Sequence, residues 1–105
     1  VLTNINQPYT LGVWTARPGQ EKAFIAEWER FAKWTSKNYP GAETGYLLQD
    51  PEHPQQFISF GPWKNNEAIK AWRESPEFKA FVVKARELCE DFKPRSLVSV
   101  ASSKE

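Results

Sequence analysis

A single cysteine, a single histidine and no methionine stand among these 105 residues, and the first two shortages each remove a class of chemistry. One Cys and one His cannot furnish the three or four nitrogen and sulfur ligands of a zinc site, so no metal is expected. Cys89 has no second cysteine to pair with, which fits a reducing compartment and predicts a cytoplasmic chain. The missing initiator Met predicts a start that has been trimmed. No apolar run approaches the ~20 residues of a membrane span and no signal-peptide pattern opens the chain, so no membrane is expected as a partner. With 14 basic and 13 acidic residues the net charge is +1. That balance lacks the concentrated positive charge that binding to nucleic acid requires. No glycine-rich phosphate loop and no nucleophile elbow occur, and there is no Ser/His/Asp set to assemble.

Aromatic residues, by contrast, are abundant: 14% of the chain, with five Trp. A chain this short forms one domain and buries about 65% of its unfolded surface. The pattern predicts a single domain over residues 9–102, an N-terminal arm over 1–8 and a C-terminal tail over 103–105. Residues 9–17, YTLGVWTAR, read as a strand stopped by Pro18-Gly19. Residues 20–39 then read as a helix whose inward stripe holds Phe24, Ile25, Trp28, Phe31, Ala32 and Thr35. Residues 44–49 and 56–63 read as two strands joined by a loop of about six residues around DPEHP.

Asn65 or Asn66 caps a short helix carrying Ala68, Ile69 and Trp72 on one side. Ser75-Pro76 starts another, with Phe78, Phe81, Val82, Ala85, Leu88, Cys89 and Phe92 on one face and Pro94 as its stop. Residues 96–102 read as the last strand. The order β-α-β-β-α-β predicts a ferredoxin-like α+β sandwich with an antiparallel sheet. An RNA-binding version of that fold is disfavoured, because the third strand lacks the basic and aromatic surface pattern. The expected strand cores LGVWTA, TGYLLQ, QFISFG and SLVSVAS carry no charge. An antiparallel sheet with one face in water alternates apolar and polar positions, so both faces are expected to be dry. The helices cover one face. A second copy of the sheet is the simplest cover for the other, which predicts a homodimer joined through sheet faces; the alternative is a monomer with a weakly polar face.

The segments ARPGQ, GPWKNNEAIKAW and ESPEF, in this order, resemble the antibiotic biosynthesis monooxygenase family. The resemblance spans roughly residues 9–101: a Pro-Gly turn after the first strand, W-x-x-x-E-A at the end of the third, then S-P-x-F. It implies a dimeric α/β barrel. It also implies one of several activities, among them cofactor-independent oxygenation of polyphenols and quinols, haem degradation and small-molecule isomerisation. Trp63 matches the tryptophan that often lines the family's pocket. Nine residues on, where many members place a histidine, this chain has Trp72; where the haem-degrading branch has an asparagine on the first strand, Gly12 stands. Both departures disfavour haem binding or degradation, and the first disfavours imidazole acid–base chemistry.

His53 does not fill the gap. It lies in the turn before the third strand, and at ~3.3 Å per residue the extended stretch to Trp63 exceeds about 20 Å. What remains is oxygenation with no cofactor, which asks the protein for a dry pocket that holds a flat substrate and favours its ionised form. Tryptophan offers broad apolar faces and an N–H to orient an oxygen. The candidate substrate-binding residues are Trp63, Trp72, Trp14 (if it faces the helices) and Arg73, the last to stabilise a phenolate; no catalytic residue is identified. Two readings stay open for each tryptophan, pocket wall or core packing, while Trp28 and Trp34 read as core and core edge. Two functions stay open as well: a cofactor-free monooxygenase of an aromatic or quinol-like molecule, and a non-catalytic dimer binding a small aromatic ligand.

Overall fold

Alternating β-branched, aromatic and small residues extend the chain from Pro8 to Ala16 (β1), and Pro18-Gly19 turns it, with Gly19 at φ 85°. A side chain there is strained whatever the space around it. The computed structural model describes residues 5–104. Helix α1 follows over Glu21–Asn38 and buries Phe24, Phe31 and Thr35. Strands β2 (Tyr46–Asp50) and β3 (His53–Pro62) form a hairpin. Helix α2 (Asn66–Glu74) is capped by Asn65, whose side chain accepts the Ala68 N–H. Helix α3 (Pro76–Leu88) leads into β4 (Cys89–Val98). Ser75 closes α2 and opens α3: its Oγ accepts the Phe78 N–H at 3.1 Å and donates to the Trp72 carbonyl at 2.7 Å. The sheet is antiparallel with strand order β2-β3-β1-β4, the ferredoxin-like α+β arrangement expected.

Four details differ from the sequence reading. The β2–β3 connection is tighter, with Asp50 already paired to His53, so Pro51 and Glu52 alone make the turn. Ile25, placed on the buried stripe of α1, is exposed. Helix α3 stops at Leu88, and Cys89 and Phe92 belong to β4, which pairs with β1 through Trp14–Phe92 and Ala16–Cys89. Because β4 is an edge strand, it tolerates Pro94, whose missing N–H costs nothing where it faces away from the ladder.

The fourth difference follows from the third. Since β4 begins at Cys89, it carries Glu90, Asp91, Lys93 and Arg95, so the sheet is not free of charge. By register Asp91, Lys93 and Arg95 stand beside Thr15, Val13 and Leu11 on the face away from the helices. That face is apolar over β1, β3 and β2, where Leu11, Val13, Ile58, Phe60, Tyr46 and Leu48 meet, and charged along the β4 edge. Tyr46, Leu48, Ile58 and Leu97 are exposed there.

The core lies on the opposite face, where Trp14, Ala16, Phe24, Phe31, Phe57, Phe81, Ala85 and Cys89 form one buried cluster. Of the expected N-terminal arm, Val1 to Asn4 lie outside the described residues, as does Glu105 of the tail. Asn6 and Gln7 exchange backbone hydrogen bonds with Ser99, at 2.7 and 3.0 Å.

Candidate functional site

The register of β1 against its neighbours sorts the helix-facing side chains into rungs. Thr10 stands between Gly61 and Ser96, Gly12 between Ser59 and Pro94, and Trp14 between Phe57 and Phe92. The first two rungs hold only small residues; the third is three large aromatic rings. Trp14 and Phe92 stack at 3.8 Å between centroids, and the Trp14 indole N–H donates to Ser59 Oγ at 3.0 Å. The Trp14 ring thus lies over the Gly12–Ser59 rung and closes one end, and open space remains beyond it beneath the helices.

That space is a hollow of about 820 Å³, floored by Thr10, Gly12, Ser59 and Gly61 and walled by Phe31, Trp34, Trp63, Trp72, Phe78 and Phe81. Ring contacts run in a closed circuit around part of the wall. Phe31 meets Trp34 at 5.4 Å, Trp34 meets Tyr39 at 5.8 Å and Tyr39 meets Trp63 at 6.4 Å; Trp63 then meets Trp72 at 5.0 Å and Trp72 returns to Phe31 at 5.9 Å. Aromatic pairs in this range hold one another in tilted and offset geometries worth about 0.5–1.5 kcal/mol each beyond their burial.

The four residues singled out in the sequence all line this one hollow. Trp63, just past β3, is buried and donates its indole N–H to Thr10 Oγ1 at 3.2 Å. Trp72 on α2 donates to Thr35 Oγ1 of α1 at 2.9 Å, so its ring is fixed between the two helices. Trp14 faces the helices and is buried among Phe24, Phe81 and Phe92. Packing and pocket lining therefore coincide in each tryptophan; the two readings left open are not exclusive.

Arg73 is half-buried and reaches β4, where Nη1 donates to Ser96 Oγ at 2.6 Å and Nη2 to the Arg95 carbonyl at 3.2 Å. Burial pushes its pKa down from the usual guanidinium range. His53 does not line the hollow; it is exposed at the start of β3, 3.2 Å from the Asp50 carboxylate. Asp50 is held below the ordinary carboxylate range by the Glu52 backbone N–H and by that imidazole. Among the described residues no three His, Cys, Asp or Glu side chains gather as a metal site would require. No helix among them is long and apolar enough to cross a membrane.

Thr10, Ser59 and Gly61 escaped the sequence reading, although they shape the site. The available signal was the run of small residues at alternate positions, T-x-G in TLGVW and S-x-G in SFGPW, which marks the hollow's floor once the inward face is known.

An antiparallel ferredoxin-like sheet backed by helices, with an aromatic-walled hollow between the layers, defines a small α+β domain with a small-molecule-sized pocket. The family model described as antibiotic biosynthesis monooxygenase matches residues 9–84, and the chain belongs to that family. Among solved structures it is similar to SnoaB, a cofactor-independent oxygenase from Streptomyces nogalater, at 16% identity and a TM-score of 0.86, over 95% of this chain and 99% of that one. It is also similar to Rv0793 from Mycobacterium tuberculosis, at 15% identity and a TM-score of 0.79 over 93% and 99% of the two chains. A third is the putative antibiotic biosynthesis monooxygenase from Chloroflexus aurantiacus J-10-fl, at 24% identity and a TM-score of 0.73, over 91% and 95% of the two chains. At these identities the likeness establishes the fold. No curated protein sequence matches the chain.

Proposed function

We propose that this protein is a cofactor-independent monooxygenase whose hollow binds a flat aromatic or quinol-like molecule. The observation that carries the reading is the hollow of about 820 Å³ walled by tryptophan and phenylalanine rings. A hollow of that size takes a small fused-ring aromatic. Trp63 and Trp72 offer ring faces for stacking, and Trp14 closes the end. SnoaB, a cofactor-independent oxygenase of the same fold, supports the reading.

The chemistry asks little of side chains. Triplet O₂ reacts slowly with closed-shell molecules, but an electron-rich quinol anion donates one electron to it and recombines with the superoxide formed. The resulting peroxide loses water, so that a hydroquinone and O₂ give a hydroxyquinone and water. The protein's share is to orient the ring, hold it ionised and keep bulk water from the intermediates.

The same reading has the protein work as a homodimer through the face that carries Ile58, Phe60, Leu11 and Val13. An apolar patch of that extent is the usual mark of a protein interface. The charged β4 edge lies at its border rather than its centre, consistent with a polar rim.

Aerobic incubation with a panel of dihydroxyaromatics tests the function, with O₂ uptake and tryptophan fluorescence followed together. Uptake with fluorescence quenching is the expected result. Quenching without uptake would instead establish a non-catalytic binding protein, the reading favoured by Trp72 at the place where family members carry a histidine.

A further inference from the structure

Arg73 is an anomaly among the cations near the hollow. Glu29, Arg30, Lys33 and Lys37 of α1, Arg73 of α2 and Glu43 of the following loop all contribute to the lining. Arg30 is paired with Glu27 at 2.6 Å, and Lys33 lies 3.7 Å from Glu29. Glu43 accepts the Gln7 amide at 3.0 Å. Lys37 is exposed on the last turn of α1, where water screens it. Arg73 alone is both half-buried and, among the described residues, without a carboxylate within ion-pair distance.

Its two bonds go to neutral oxygens, Ser96 Oγ and the Arg95 carbonyl, which engage two of the five N–H groups a guanidinium carries. A partly desolvated cation with no counter-charge is costly unless something negative joins it. Burial lowers its pKa, in keeping with that cost. The neighbouring hydroxyl points the same way. Thr10, cross-strand neighbour of Ser96, already accepts the Trp63 indole N–H. Among the described residues no acceptor takes the Thr10 hydroxyl proton, which leaves it able to donate. Arg73 and Thr10 both line the hollow, and each offers a donor there.

We propose that the hollow is selective for an aromatic anion, with a carboxylate or an ionised ring hydroxyl taken by Arg73 and Thr10. This rests on the reading of the hollow as a ligand site and names the charge class of what enters it. For a ring hydroxyl the consequence is a lowered pKa in the bound state, since an opposite charge within a few ångströms favours the ionised form by about one to three units. The site thereby supplies the electron-rich anion that O₂ requires. Arg73 replaces a general base: the proton leaves to solvent because its conjugate anion is held.

Tryptophan quenching at pH 7 with 2-naphthoate and with its neutral analogue 2-naphthamide provides the first test. A pH titration of bound nitronaphthol, whose ionised form absorbs at longer wavelength, provides the second. The wild type is expected to bind the carboxylate at least tenfold more tightly than the amide and to lower the nitronaphthol pKa by one unit or more. Arg73→Gln should abolish both effects, and Arg73→Lys should keep part of each. Equal affinity for acid and amide in the wild type overturns the proposal while leaving the ligand site standing. A preference and pKa shift that survive in Arg73→Gln overturn the assignment to Arg73. Should Arg73→Gln fail to fold, the wild type and Arg73→Lys decide alone: loss of the pKa shift in a folded Arg73→Lys protein counts against charge as the cause. If neither naphthalene quenches the tryptophans, the ligand-site reading falls and this inference with it.

Discussion

The indole of Trp14 crosses the backbone of Gly12 to reach the hydroxyl of Ser59 on the neighbouring strand, with 3.0 Å between Nε1 and Oγ. Gly12 and Ser59 are direct cross-strand partners, so the ring lies along its own strand and over the adjacent rung. A Cβ at position 12 would stand 2.8 Å from Trp14 Nε1 and 2.9 Å from Ser59 Oγ. The absence of a side chain is therefore what lets the largest core residue lie flat at the end of the hollow.

Gly12→Ala is accordingly expected to break that hydrogen bond and push the indole into the hollow. Overpacking costs about 1–3 kcal/mol, which urea unfolding will register. Ser59→Ala should cost about 1–3 kcal/mol on its own, because it leaves a buried indole N–H without an acceptor. The double variant should cost less than the sum, since both changes remove one interaction.

Trp63 carries two separable contributions. Trp63→Phe keeps an aromatic wall but loses the bond to Thr10, so it should cost about 1 kcal/mol of stability. Trp63→Ala opens a void against Trp72 and Tyr39, and should cost about 3–5 kcal/mol and at least tenfold in ligand affinity. Parallel denaturation and fluorescence titrations check both; equal ligand affinity across the three proteins would remove Trp63 from the site.

Ser75 is a hinge in the covalent sense, closing one helix and capping the next with the same hydroxyl. Ser75→Ala should destabilise by about 1–2 kcal/mol, at the upper end of cap losses, because two bonds go with one atom. Thermal melts followed by circular dichroism read this directly.

Cys89 is buried at the start of β4, and burial raises its thiol pKa to about 11, with nearby Arg17 opposing the shift. The folded pKa exceeds the unfolded value of about 8.5, so between the two the unfolded chain holds fewer protons. Stability from this group is therefore intact below about pH 8.5, falls as pH rises toward 11 and levels off above it. In the folded protein at pH 8 the thiolate fraction is roughly two hundredfold below that of a free thiol. Alkylation by iodoacetamide should be slow by at least that factor and become fast in denaturant. Rapid labelling of the native protein would contradict the burial.

Ile58 lies at the middle of the apolar sheet face and is 43% exposed in the single chain. Placing a carboxylate there, as Ile58→Glu, should yield a folded protomer that sediments alone, while the wild type sediments as a pair. A wild-type protein that sediments as one protomer at all concentrations would end the sheet-face proposal.

Much of the fold was legible because its signals are local. Helix α1 announces itself by Phe24, Phe31 and Thr35 at helical spacing, and α2 and α3 by Asn65 and Ser75-Pro76 at their caps. Caps and stripes depend on residues three or four apart, which the chain displays on its own. The start of β4 was not legible. Phe78, Phe81, Ala85, Leu88 and Phe92 continue one helical stripe without a break, and Pro94 looks like its natural stop. The strand begins at Cys89 because β1 offers a ladder there, with Ala16 opposite Cys89 and Trp14 opposite Phe92.

The site divides the same way. Composition and motif alone singled out Trp14, Trp63, Trp72 and Arg73, since aromatic surplus and a spaced tryptophan are properties of the string itself. That these four side chains border one hollow was decided by register, which stacks Thr10, Gly61 and Ser96 in one rung and Gly12, Ser59 and Pro94 in the next. A residue's own sequence neighbours fix whether it turns into a helix or a turn, whereas the space left empty beside it depends on side chains up to 86 positions away, as from Thr10 to Ser96. Only the folded sheet brings those together.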